Sequence, residues 1–496
     1  MHNKSLGENR LVRTITGSKE TINNVPWLNV VTIAYLGVVL LVYVLMLIAP
    51  FLTFLASTPF YHISAFLGLL GGALLFADLL TNRVLWRGPM CLLLYGVCFM
   101  ACVASLRTMR YGLHDNLFDI CWVVIQFALV YSWRYRLKDE QAVRFIRIVY
   151  PVAALAWFAA CCVSFFQFAL QIGYRYIADP RSLNPELCRQ GFLQHRLFGV
   201  FTGLDYAVYI SLVLAIVGVY YFTASKRLWK KILLAIILLT YLLHMILSGS
   251  RSVQISLFLY IFFYTWLQLR SRTKRDGIRR IAALFLASTI VTGISIGCFF
   301  GVKQVMRYVP ALVSGDLSGG DDPFEETEDD ILEREGLEGD VSNNRFKIWA
   351  DYLTLRGDIG LVGLSLSNYN DYIKEYHPDL YIVQYFQEDY GEAEKTDMVY
   401  ESHNNYLFAF VSTGLIGFLL FMAFLITVVV RVIRHIHENR QLSPAFIATL
   451  AVVCVGCVQA LFMNSVFLKI NGPSFLFWFA MGLLMHDMEK DISTSR

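Results

Sequence analysis

The chain has 496 residues, 56% of them hydrophobic and only 16% charged, with a mean hydropathy of +0.53. Soluble domains carry roughly 25% charged residues, so the composition excludes a large soluble enzyme and indicates a membrane protein with many spans. The net charge of +4 decides little by itself, because the charges are sorted by segment and form no nucleic-acid-binding tract.

Residues 1–25 are polar, and the first apolar run is long enough to span a bilayer, so no cleavable signal peptide is expected. A helical span needs about 20 apolar residues. Twelve candidate runs meet or approach this, at 28–49, 62–81, 89–106, 116–133, 148–172, 204–223, 232–248, 252–269, 281–301, 404–430, 446–468 and 473–486. The expected fold is an all-α polytopic membrane protein of about 12 transmembrane helices. Its organisation reads as a tail at 1–27, nine spans over 28–302, one large outer loop domain at 303–402 between spans nine and ten, three spans over 403–488, and a tail at 489–496. Most of the ten cysteines lie in apolar runs, which is no disulfide framework. Cys454 and Cys457 have CxxC spacing but no second ligand pair, so no metal and no cofactor is expected.

Lysine and arginine concentrate in the hinges that share a side with the N-terminus: Arg83 and Arg87; Arg134, Arg136 and Lys138; Lys226, Arg227, Lys230 and Lys231; Arg270 to Arg280; and Arg431 and Arg434. The positive-inside rule therefore puts both termini in the cytoplasm and 303–402 outside. Segment 173–203 is an exception, with Arg175, Arg181, Arg189 and Arg196 on the disfavoured side. Such arginines suit anion binding, or pairing with the acidic outer segment.

That outer segment opens with an acidic run near 316–340, which reads as a solvated loop with a divalent-cation site as the lesser alternative. A helix is expected from about Ser342-Asn343-Asn344-Arg345, with Phe346, Trp349, Ala350 and Leu353 at helical spacing, Gly357, Gly360 and Gly363 turning the chain, and a second short helix at 368–376. Six tyrosines between 369 and 390 offer faces for sugar rings or for an interfacial belt.

Two constellations stand out. Ser248-Gly249-Ser250-Arg251-Ser252 joins two spans at the outer side, where an arginine among small residues at a helix start suits an anion. His403 opens the next long apolar run, followed by Asn404 and preceded by Glu401, which is placed to orient it. A histidine with a pKa near 6.5 suits a general base. The bland alternative is an interfacial histidine packed under the outer domain.

His403-Asn404, nine residues, then Gly414-Leu415-Ile416-Gly417 resembles the signature of the O-antigen ligase and O-antigen polymerase superfamily. Ser248-Gly249-Ser250-Arg251 is similar to its Ser-Gly-Ser-Arg element. Arg345 with Trp349 and Gly360 with Gly363 resemble its outer helix and glycine turn, and Arg196-Leu197-Phe198-Gly199-Val200-Phe201 resembles its Arg-x-x-Gly-x-aromatic approach to the next span. The resemblance covers roughly residues 196–420. The family often has Asn-Pro-Asn where this chain has Gly203-Leu204-Asp205, and a proline before the glycine turn where this chain has Asp358-Ile359, so the 202–205 segment receives no role.

The resemblance implies a GT-C-like, metal-independent, inverting glycosyltransferase in the bacterial cytoplasmic membrane with its site facing outside. The donor would be a glycan on undecaprenyl pyrophosphate. The acceptor would be a glycan or lipid-linked glycan, and a flippase and chain-length regulator would be partners. Arg196, Arg251 and Arg345 would hold the pyrophosphate, because guanidinium gives bidentate, permanently charged contacts to phosphate. His403 would activate the acceptor hydroxyl, with Ser250, Asn404 and Glu401 in support. Polymerisation of repeat units is the leading activity, ahead of ligation to lipid A-core and of protein O-oligosaccharyl transfer. A transporter or glycan exporter is the alternative of another class, disfavoured by nearly charge-free spans and the absence of visible repeats.

Overall fold

The computed structural model describes residues 26–177, 187–271, 277–314, 344–384, 400–439 and 441–494. The N-terminal tail, Arg181, the acidic run, Tyr385 and Tyr390 lie outside the described residues. The chain is mostly helical, as lipid demands, because only a structure that satisfies its own backbone hydrogen bonds survives in hydrocarbon. Among the described residues, eight helices are long and apolar enough to cross a membrane. The apolar helices Cys91–Arg107 and Pro444–Gln459 are shorter.

In chain order the main helices are α1 (Pro26–Leu45), α2 (Ala49–Ala56), α3 (Ile63–Leu80), α4 (Cys91–Arg107), α5 (His114–Ile125), α6 (Asp139–Ala169), α7 (Leu204–Ala224), α8 (Leu228–Ser248), α9 (Arg251–Ser271), α10 (Ile278–Met306), α11 (Tyr308–Ser314), α12 (Arg345–Thr354), α13 (Arg356–Ile359), α14 (Tyr369–Tyr376), α15 (Asn405–Glu438), α16 (Pro444–Gln459) and α17 (Gly472–Thr494). Helix α5 continues as a π-helix at Gln126–Val130. Helix α10 runs past residue 302 and is followed directly by α11, so helix extends into the stretch expected to be outer loop.

The expectation of an all-α chain needs one addition. Segment 173–203 holds an antiparallel three-stranded sheet in the order β1 (Gly173–Ile177), β2 (Leu187–Leu193) and β3 (Arg196–Gly199). Beyond β3, Phe201 bridges to Ile48 at the end of α1, and the Ala49 and Thr202 amides donate to Val200 and Leu47 carbonyls at 2.8 and 2.9 Å. These bonds put the sheet, the start of α7 and the end of α1 at one end of the bundle. At the other end, Arg136 and Asp78 form a fully buried ion pair, and Tyr135 and Arg431 both reach Glu489.

The core is aromatic. Trp122, Trp133, Trp157 and Trp478 are fully buried, and Trp133 stacks on Phe479 with ring centroids 4.1 Å apart. Helices α4 and α15 pack through glycines: a Cβ on Gly96 would lie 2.9 Å from Leu420, and one on Gly417 would lie 3.1 Å from Met100. Close helix approach through small residues is the membrane-protein solution to packing without a hydrophobic driving force.

Candidate active site

The His403 loop is bonded from three directions. The Asn404 side chain caps α15 by accepting from the Tyr406 and Leu407 amides at 3.0 and 3.1 Å, which satisfies two donors that a helix start leaves open. Asn464, from the loop before α17, accepts from the Asn404 amide at 2.9 Å and from the Ser402 hydroxyl at 2.8 Å. Buried Asn405 accepts from the Val466 and Phe467 amides, both at 2.7 Å. From the outer helices, Trp349 Nε1 donates to the Ser402 carbonyl at 2.9 Å, and the Tyr352 and Tyr369 hydroxyls donate to the Tyr400 carbonyl. Between these anchors His403 adopts a left-handed backbone conformation, φ +48°. For a residue with a Cβ this costs roughly 1–2 kcal/mol, and such strain concentrates at functional positions.

The second wall is the α8–α9 hairpin. Gly249 turns it with φ +64°, and Arg251 is the first residue of α9 and exposed. Arg196 crosses from β3: its Nε donates to the Ser248 carbonyl at 2.9 Å, and a Cβ on Gly249 would stand 3.5 Å from that nitrogen. Gly249 is required by its left-handed turn, and Arg196 packs beside it at ordinary contact distance. The Ser250 hydroxyl donates to Asp205 Oδ1 at 2.7 Å, and Asp205 Oδ2 stands 3.7 Å from Arg345 Nη2. The Arg345 guanidinium lies 5.8 Å over the Phe462 ring. Helix α12 starts at Arg345 as expected, although Asn344 precedes it in a left-handed conformation with no side-chain cap bond.

The structure therefore brings Arg196, Ser250, Arg345 and His403 to one end of the bundle, where Asp205 links Ser250 to Arg345 and acts on His403. That aspartate lies in the segment to which sequence reasoning assigned no role. A signal was present: Asp205 is the second residue of a membrane span, where a carboxylate is costly unless it has a partner. Asn405 and Asn464 were also missed, because their contacts cross about 60 residues of chain. Glu401 lies beside His403, with Oε2 3.9 Å from Nδ1, which is ion-pair range rather than a hydrogen bond; the Tyr206 hydroxyl donates to its other oxygen at 3.5 Å.

The His403 side chain is 37% exposed, yet protein packs densely around the rest of the ring. Burial lowers its pKa below the ordinary value; Glu401 pulls it up, Arg345 pushes it down and Asp205 pulls it up, with a net depression. The imidazole is thus held in the neutral form that accepts a proton.

The glycines downstream have a geometric reason. Gly414 interrupts α15 with φ +68° and ψ −176°. The turn after α13 fits into this break: the Leu415 and Ile416 amides donate to the Gly360 and Leu361 carbonyls at 3.1 and 3.2 Å, and the Leu364 and Ser365 amides donate to the Val411 and Ser412 carbonyls at 2.8 and 3.2 Å. Arg107 at the end of α4 donates to the Gly363 carbonyl at 3.2 Å. The nine residues between Asn404 and Gly414 set the distance from the histidine to this joint.

Residues 236–422 match the family model described as O-antigen ligase. Over these residues the chain is similar to the O-antigen ligase family. The match supports the O-antigen ligase and polymerase superfamily and a lipid-linked glycan-transfer role. A search of the curated proteins found no match. The matched region contains the α8–α9 hairpin, Arg345, the glycine turn, His403 and the Gly414 break; Arg196 and Asp205 lie upstream of it.

Proposed function

We propose that the protein is an inverting, metal-independent glycosyltransferase that polymerises undecaprenyl-pyrophosphate-linked repeat units on the outer face of the bacterial cytoplasmic membrane, with both termini cytoplasmic. The observation that supports it best is the Ser248–Arg251 hairpin, held by Arg196 at Ser248 and joined through Ser250 and Asp205 to Arg345, with Arg345 and Asp205 in electrostatic range of a His403 whose pKa is lowered. The acceptor hydroxyl oxygen attacks the anomeric carbon as the bond from that carbon to the phosphate oxygen breaks. The hydroxyl proton passes to the His403 nitrogen that faces away from Glu401. The electron pair leaves with the pyrophosphate, whose charge Arg196, Arg251 and Arg345 offset through bidentate contacts. Because pyrophosphate is already a stable anion, the reaction needs charge stabilisation more than a general acid.

The test is transfer by purified, membrane-inserted His403→Ala protein, expected to fall by about 10²–10⁴; undiminished transfer sinks the proposal. The matching family model is described as O-antigen ligase, which favours ligation to lipid A-core as the second reading. A chromosomal deletion separates the two: single repeat units at the surface mean polymerase, and long chains stranded on the carrier lipid mean ligase.

A further inference from the structure

We infer a second, glycan-binding subsite on the inward face of α5, separate from Arg196, Arg251 and Arg345; it rests on the reading of the protein as a glycan transferase. At 3.6 residues per turn, Asn116, Asp119 and Gln126 fall on one face of α5 and its π-helical continuation. Ten residues of rise make this stripe ~15 Å long. Ser367 meets its upper part: the Ser367 amide donates to Asn116 Oδ1 at 2.9 Å, and the Ser367 hydroxyl donates to the Asp119 carboxylate. Lys469 meets its lower part, where Gln126 Nε2 donates to the Lys469 carbonyl at 2.8 Å. The Lys469 ammonium rises from there to lie 4.9 Å over the Phe408 ring, within electrostatic range of Asp119. Among the described residues it forms no hydrogen bond and no ion pair closer than 4 Å.

Two more atoms on this face are sealed from solvent without a partner. They are Asn116 Nδ2 and Gln126 Oε1, on side chains that are fully buried. Buried polar atoms in proteins are almost always paired, with water or ligand where protein does not serve. Ionisable residues inside a membrane bundle mark substrate pathways, and π-helical turns gather at functional sites. The mechanism above uses none of these groups.

Their chemistry selects the ligand. One ammonium and one carboxylate leave the site without net charge. Lys469 Nζ and Asn116 Nδ2 donate, whereas the Asp119 carboxylate and Gln126 Oε1 accept. A pyrophosphate would be repelled by Asp119 and would leave the acceptors unused. A metal ion would meet Lys469. Sugar hydroxyls both donate and accept, and suit the partly exposed Lys469 ammonium and Asp119 carboxylate alike. Phe408 lies on the helix that His403 precedes, so this subsite holds part of a substrate glycan whose reacting end lies toward His403.

The experiment is saturation-transfer NMR on the full-length protein in nanodiscs. The probe is the oligosaccharide released by mild acid from the lipid-linked glycans of the cells that make the protein. Binding is expected for the wild type and for His403→Ala, and at least tenfold weaker binding for Lys469→Gln and Asp119→Asn. A second measurement needs no variant: the oligosaccharide should slow acylation of Lys469 by a water-soluble active ester several-fold, and inorganic pyrophosphate should not. No binding by the wild type, binding indifferent to both variants, an unchanged Lys469 acylation rate, or protection by pyrophosphate overturns the subsite. Normal transfer by His403→Ala, with glycan binding still dependent on Lys469, overturns the catalytic reading alone.

Discussion

Gly363 and Gly414 meet backbone to backbone: a Cβ on Gly363 would lie 2.5 Å from the Gly414 amide nitrogen, and one on Gly414 would lie 2.5 Å from the Gly363 nitrogen and 2.4 Å from the Leu361 carbonyl oxygen. Both residues have positive φ, +95° and +68°. The outer turn and the break in α15 form one joint, and the joint sets where His403 stands relative to Arg345.

Alanine at Gly414 would therefore meet both a strained backbone and backbone atoms that cannot step aside. A left-handed conformation adds roughly 1–2 kcal/mol, and overpacking about 1–3 kcal/mol. Thermal unfolding of purified Gly414→Ala in detergent should show a marked drop in midpoint, and Gly363→Ala should behave alike. Alanine at Gly297 on α10, a helical position where nothing stands within 4 Å, should hold or slightly raise the midpoint, because alanine favours the helix by about 0.5–1 kcal/mol.

Asp205 links the hairpin to Arg345. A partly exposed pair at 3.7 Å contributes only about 0–1 kcal/mol to stability, so Asp205→Asn should unfold close to wild type. Its effect belongs in transfer. Loss of the carboxylate frees Arg345 and weakens the hold on Ser250, and transfer should fall roughly tenfold or more, since small misplacements of positioned groups are costly to rate. A stable protein with full activity would remove Asp205 from the site.

The acid side of the pH–rate profile reports His403. Its depressed pKa keeps the imidazole neutral below the ordinary value near 6.5, so activity should persist to lower pH than an unperturbed histidine allows. Arg345 lowers this pKa and Glu401 raises it. Arg345→Gln should therefore move the acid limb to higher pH, and Glu401→Gln should move it to lower pH. Shifts of the same sign in both variants would contradict the arrangement.

The Arg196 Nε donates to the Ser248 carbonyl, and the proposed phosphate contact draws on the same planar fork. Lysine cannot do both. Arg196→Lys and Arg345→Lys should each raise KM for a pyrophosphate-linked donor about tenfold or more, with insertion unchanged. Equal kinetics for the lysine and arginine forms would mean that point charge is sufficient there.

Asn405 receives two backbone amides at 2.7 Å. Asn405→Leu would strand both in a buried place, at about 1–3 kcal/mol each. Its unfolding midpoint should fall at least as far as that of Gly414→Ala.

Much of this protein was legible in local sequence. Runs of apolar residues place membrane helices because hydrocarbon leaves the backbone no other partner, and α1, α3, α7 and α8 lie within a few residues of the expected runs. The positions of Ser250, Arg251, Arg345 and His403 at helix ends also follow from local pattern, because caps, turns and glycines act over a few residues. The tertiary structure decided what those residues face. Asp205 meets Ser250 and Arg345 across 45 and 140 positions of chain, Gly363 meets Gly414, and Asn405 holds the 460–471 loop. The sheet that delivers Arg196 escaped notice because its strands are short and, among the described residues, pair with one another. Such contacts depend on which helices pack together, and packing of lipid-like faces is settled by shape and by scarce polar bonds rather than by any periodicity of the chain.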